Sequence, residues 1–111
     1  MHYYLSPEQA QGTDRLTRST DLYALGATLY HLLTGEVPFK GKNSIDVMAK
    51  HISEPVPDPR TIRSGLSLAA GSICMKLMQK SPRDRFPSAV SLAEEIARVQ
   101  QRESRRLANR A

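Results

Sequence analysis

The sequence predicts an all-α fold: a small helical bundle, four main helices around a central buried one. Three observations carry this. Apolar residues recur at helical spacing along the chain, with no convincing pair of alternating apolar and polar runs to suggest strands. One segment, about Thr20–Thr34, is apolar on every side of its helical wheel, which suits a helix with neighbours all around it. The seven prolines all fall between the periodic segments, where they punctuate loops.

The elements follow in order. TDLYALGATLYHLLT opens the first helix, with Thr20 or Ser19 as cap, Asp21 in the positive first turn and Gly35 as the residue that ends it. A loop, GEVPFKGKN, comes next, with Phe39 as its expected anchor. The second helix, about Ser44–Ser53, places Ile45, Met48, Ala49 and Ile52 on one face, expected to turn inward with Lys50 and His51 outward. EPVPDPRT holds three prolines and forces an extended connection. The third helix, roughly Ser67–Gln79, carries Leu66, Ala70, Ile73 and Leu77 on one side, with Cys74 as a buried small hydrophobe. SPRDRFP breaks it. The fourth helix starts near Pro87 or Ser88, with Ala89, Leu92, Ala93, Ile96 and Ala97 as its inner stripe and Glu94 and Arg98 paired on the outside.

Composition narrows the function classes. At 111 residues the chain is one small domain, too short for a two-lobed enzyme with a separate nucleotide domain. A single cysteine excludes an internal disulfide framework and a cysteine-based zinc cage. The histidines, His2, His31 and His51, are scattered, so no metal site is expected. No apolar run is long enough to span a bilayer, which makes a cytoplasmic protein without a membrane partner the expectation. The net charge of +5 belongs mostly to residues 98–111, where five arginines face one glutamate; residues 1–97 carry only +1. This basic tail, a helical extension or a frayed end, has no aromatic residue for base stacking, and nucleic-acid binding is not expected. Serine and threonine at 13, 17, 19 and 20 are modifiable residues that polar loop composition explains equally well.

Three motifs in order resemble one family. Tyr4-Leu5-Ser6-Pro7-Glu8-Gln9-Ala10 resembles the end of a protein kinase activation segment. Asp21-Leu22-Tyr23-Ala24-Leu25-Gly26, continuing through Leu33-Thr34-Gly35-Glu36-Val37-Pro38-Phe39, resembles the central helix of the kinase C-lobe and its following loop. Ser81-Pro82-Arg83-Asp84-Arg85-Phe86-Pro87-Ser88 resembles the family's late arginine motif. The spellings are similar to bacterial-type serine/threonine kinases, and the resemblance covers about residues 1–97. It implies the second half of the kinase C-lobe, with residues 98–111 outside it.

The resemblance also implies roles. Glu8 and Arg85 would form a buried structural ion pair, whereas composition alone reads them as two solvated charges. Tyr3, Tyr4, Leu5 and Ser6 would form the platform for the substrate residue that follows the phosphoacceptor; packing as core is the alternative for Tyr4 and Leu5. Asp21 would anchor the catalytic loop in an intact enzyme, and in this chain alone it reads as a carboxylate favoured by the helix dipole. The family transfers the γ-phosphate of ATP to protein serine or threonine with Mg²⁺. Here the glycines stand at 12, 26, 35, 41, 65 and 71, giving no G-x-G, and there is no V-A-I-K, H-R-D or D-F-G. The chain is expected to hold no catalytic residue and no cofactor, and to be inactive alone. Its expected partners are the rest of a kinase domain, or another protein, against an exposed apolar face of the central helix. The second possibility makes it a non-enzymatic helical interaction module.

Overall fold

Ser6 starts the first helix. Its hydroxyl accepts the Gln9 N–H, the Gln9 side-chain oxygen accepts the Ser6 N–H, and Pro7 brings a preset φ to the first helical position. This capping box yields the single turn α1 (Pro7–Ala10). The other helices are α2 (Arg18–Thr34), α3 (Ser44–Ser53), α4 (Pro59–Ile62), α5 (Leu68–Leu77) and α6 (Ala89–Ala108), with a 3₁₀ turn at Pro82–Asp84. The structure, a computed structural model, describes residues 3–12 and 17–110, and these contain no strand. Met1, His2 and Thr13 lie outside them. Four main helices form as the periodicity predicts; α1 and α4 are additional single turns.

The core is built where α2 crosses α5. Tyr23, Ala27 and Tyr30 of α2 pack on Cys74 and Met78, and a second cluster joins Leu22 to Leu77, Phe86 and Leu92. Gly26 allows the crossing to be close. A Cβ there would stand 2.7 Å from Leu77 Cβ and 2.8 Å from Met78 Cγ. The Cys74 thiol, 3.5 Å from the Gly26 carbonyl, donates to it across the seam. Burial pushes that thiol up to about 12, so Cys74 is a packed hydrophobe without thiolate character.

Several expectations are corrected. α2 begins at Arg18, capped by Thr17, and not at Thr20 or Ser19. Thr20 is the third helical residue and its hydroxyl is used inside the protein. Gly35 does end α2, in the left-handed conformation with φ 77°. α2 is not enclosed all round, because Leu25 is 47% and Leu32 76% exposed. On α3 the inward face is different from the expected stripe: Val47 and His51 are buried, while Ile45 is 78% exposed and Ala49 is exposed. The reason is His51 itself. Its Nδ1 lies 2.7 Å from the Tyr23 hydroxyl and its ring meets Phe39 edge-on at 5.0 Å, which rotates α3 about its axis relative to its apolar stripe.

Phe39 is the expected loop anchor and is buried. Lys80 then fixes the end of α3, donating to the Lys50 and His51 carbonyls with its ammonium over the Phe39 ring. Replacing Tyr23 by phenylalanine removes the hydroxyl beside the buried His51 Nδ1. The expected cost is about 1–3 kcal/mol, read from urea unfolding; an unchanged midpoint would show that the bond contributes nothing.

α5 follows its expected face in part, with Leu77 and Cys74 inside as expected. Gly71, Cys74 and Leu77 are buried, while Ala70 and Ile73 of the expected stripe are half-buried. On α6 only Leu92 is buried, and Ala89, Ala93, Ile96 and Ala97 of the expected stripe face solvent, uncovered by any element among the described residues. The external ion pairs of α6 use Glu95, which takes both Arg98 and Arg102; Glu94 is not the partner. Ser88 caps α6 as the sequence suggests, and the helix continues through the basic residues to Ala108. At twenty residues it is about 30 Å long.

Candidate functional site

Glu8 and Arg85 meet at the N-terminal end of α2. Glu8 sits in the first turn of α1, and its side chain is 12% exposed. Arg85 follows the 3₁₀ turn, and its side chain is fully buried. The two meet as a fork: Arg85 Nη1 donates to Glu8 Oε2 and Arg85 Nη2 to Oε1, each at 2.8 Å. The Thr20 hydroxyl donates to Glu8 Oε2 at 2.9 Å.

Arg85 leaves no donor idle. Nη1 also reaches the Ser19 carbonyl, Nη2 the Lys80 carbonyl and Nε the Gln79 carbonyl, at 2.9, 3.2 and 2.8 Å. Those three bonds and the fork together use all five N–H groups of a guanidinium. Its carbon stands 4.9 Å from the centre of the Tyr23 ring, a cation–π contact deep in the protein. The segment before α2, the first turn of α2 and the connection before α6 are thereby clasped at one point. The 3₁₀ turn adds a further link, since the Ser19 hydroxyl donates to the Pro82 carbonyl.

Electrostatics follow the geometry. Burial pushes the Glu8 carboxyl up, yet hydrogen bonds from Arg85, its own backbone and Thr20 outweigh that and hold it at about 2. A carboxyl depressed in the folded state stabilises the fold above its ordinary value of 4.5, and that contribution is lost as pH falls from there through about 2. Acid titration is therefore expected to remove roughly 2 kcal/mol over this window after solvent screening. Glu8→Gln should flatten that part of the profile; an identical slope in the variant would assign it to other carboxylates.

The platform residues stand just before α1. Tyr3 and Leu5 are half-buried and Tyr4 is exposed. The Tyr4 hydroxyl lies 2.8 Å from His31 Nδ1, and the two rings stack, so α2 holds this segment from its far turn as well. Ser6 is fully buried and its hydroxyl serves the cap of α1, leaving Tyr3, Tyr4 and Leu5 as the accessible part. Asp21 stands exposed in the first turn of α2. Sequence reasoning missed His51, Thr20 as the second donor to Glu8, and Gly26 as the point of helix approach. Only the last had a signal, a glycine inside an otherwise apolar helix.

The fork joins one carboxylate and one guanidinium 77 residues apart, in sequence contexts that match one family. The protein kinase domain family profile matches residues 1–98. The chain belongs to the protein kinase domain family.

It corresponds to the C-terminal part of the helical lobe of that domain. A probable serine/threonine-protein kinase of Clostridium perfringens is 38% identical over 97 residues, covering 87% of this chain and 14% of that protein. Serine/threonine-protein kinase PknB of Mycobacterium tuberculosis is 39% identical over 97 residues, covering 86% of this chain and 15% of that protein. The chain thus spans about a seventh of the length of these relatives. Among solved structures, the twitchin kinase region from C. elegans superposes with a TM-score of 0.69 at 28% identity, over 75% of this chain and 14% of that one.

The kinase family implies Mg²⁺ and ATP, and the sequence expectation is that this chain holds neither. Among the described residues no group of three or more His, Cys, Asp or Glu could hold a metal ion. The sequence offers no closely spaced glycines to cradle phosphates. No step through the nucleotide is assigned to this chain.

Proposed function

We propose that this chain is the platform and scaffold portion of a bacterial-type serine/threonine protein kinase. In the intact enzyme, the γ-phosphate of ATP passes to a protein hydroxyl on residues supplied elsewhere. Within that reading Tyr3, Tyr4 and Leu5 receive the substrate residue after the phosphoacceptor. Glu8 and Arg85 fix the platform to the lobe, and Asp21 accepts N–H groups of the catalytic loop. Residues 1–97 form the kinase portion and 98–111 a basic extension. The observation that carries the reading is the Glu8–Arg85 fork with every guanidinium donor satisfied, which ties the platform directly to the core.

The test is a chimera. Residues 1–98 replace the matching stretch of the Mycobacterium tuberculosis PknB catalytic domain, and phosphate transfer to a protein substrate is followed with labelled ATP. An active chimera, with at least tenfold loss on adding Arg85→Ala, is the expected result. A folded, monomeric chimera without activity would sink the platform role.

One observation favours a second reading, a non-enzymatic interaction module: Leu25 and Leu32 stand exposed two turns apart on α2. Chromatographic mass measurement separates the two. A monomer that associates only with the missing kinase portion supports the first reading, and a stable complex with an unrelated partner supports the second.

A further inference from the structure

A concavity away from the platform, between α5 and α6, has a volume of about 1230 Å³. Its floor is apolar, with Ile73 from α5, Phe86 from the connection and Val99 from α6, and the exposed Leu68 beside them. Its outer wall is a column of arginines. Arg98, Arg102 and Arg106 repeat every fourth residue along α6 and all line the groove, with Lys76 on the opposite side over the Phe86 ring. Four cationic side chains thus face two anionic ones, Glu95 and Glu103.

The column already shows how it takes a carboxylate. Glu95 is shared by Arg98 at 2.8 Å and Arg102 at 3.4 Å, and Glu103 approaches Arg106 at 3.9 Å. The three guanidinium side chains remain 58%, 66% and 67% exposed, so most of their donors still face solvent. The lined stretch from Glu95 to Arg106 is three turns, about 16 Å. A helix of similar length, apolar on one face and acidic beside it, complements both floor and wall. A polynucleotide would use the arginines and leave the floor unfilled, and the aromatic residue lining the groove, Phe86, is 6% exposed with the Lys76 ammonium over its ring, which leaves no face for base stacking. A flat lipid surface does not reach the floor of a groove.

We propose that the groove between α5 and α6 docks an acidic amphipathic helix of a partner protein, with its apolar face on Leu68, Ile73 and Phe86 and its carboxylates on Arg98, Arg102 and Arg106. The partner's register is set by the four-residue spacing of the arginines.

The test titrates the full 111-residue chain into a labelled synthetic helix of about 14 residues. Leucines at i, i+3, i+4 and i+7 form its apolar face, with glutamates alongside. Saturable binding below about 1 mM, weakened at least tenfold by added salt, is the expected result. A peptide of the same composition with its leucines out of phase should bind at least tenfold more weakly. So should the probe on two variants of the chain, Arg102→Glu with Arg106→Glu, and Leu68→Asp. Leu68 is exposed and opens α5, where an aspartate suits the helix dipole, so that variant keeps the fold if the arginine pair does not. Circular dichroism checks helix content of each. Four results would each overturn the proposal: no binding of the probe, equal binding of the out-of-phase peptide, full affinity of the folded Leu68→Asp variant, or tighter binding of single-stranded DNA or anionic vesicles than of the probe.

Discussion

Arg85→Ala is expected to lower the unfolding free energy by about 3–5 kcal/mol, a large share of what a domain this size possesses. The substitution leaves Glu8 as a nearly buried carboxylate with only Thr20 and its own backbone to hold it. It also orphans the Ser19, Gln79 and Lys80 carbonyls on the Arg85 side. Each loss alone is modest, but all fall at one point where α1, α2 and the connection to α6 meet. Arg85→Lys should recover less than half of the loss, because an ammonium has three donors and no planar fork to match the carboxylate. Urea unfolding followed by circular dichroism reads the effect as a shift in midpoint. A shift worth under about 1 kcal/mol would place the pair with ordinary surface ion pairs, and the clasp would lose its structural meaning.

Gly26→Val is expected to cost about 3 kcal/mol, the upper end for overpacking. Even a single added carbon would stand 2.7 Å from Leu77 Cβ and 3.3 Å from the Leu77 carbonyl carbon, so no rotamer change relieves it. The helices must separate, which opens the contacts of Tyr23, Ala27 and Cys74 at the same time. Gly26→Ala meets the same atoms with less bulk, and a gain of about 1 kcal/mol in helix propensity offsets part of its cost. The order wild type, alanine, valine in thermal midpoint is the checkable outcome. An alanine variant more stable than the parent would mean that α5 yields easily and that the seam is loose.

The parts legible in the sequence are those set by local physics. The long apolar run ending at Gly35 gives α2, and Asn43, Ser67 and Ser88 cap the later helices with side chains that the sequence displays. What failed was the orientation of α3 about its own axis and the cover expected over α6. On α3 a count of apolar residues selects Ile45 and Ala49, yet the buried residues are Val47 and His51, the latter entering the core because Tyr23, 28 positions earlier, supplies a hydroxyl there. No periodicity records such a pairing. On α6, Ala93, Ile96 and Ala97 form a proper stripe, but a stripe states only that burial is possible, and nothing among the described residues covers them. Glu94 and Glu95 are both within a turn of Arg98, and the choice of Glu95 is made by its reach to Arg102 as well. The fork of Glu8 and Arg85 was foreseeable only through the kinase motifs around them, since charge and spacing by themselves describe two surface residues. Thr20, read as a cap, is drawn inward by the same carboxylate.

The sealed sulfur in the α2–α5 seam gives the chain a built-in clock. Cys74 is the only thiol, wholly covered and reluctant to ionise, so an alkylating reagent can reach it only when those helices part. With reagent in excess, the labelling rate becomes the rate at which the molecule breathes open, read without any engineered probe.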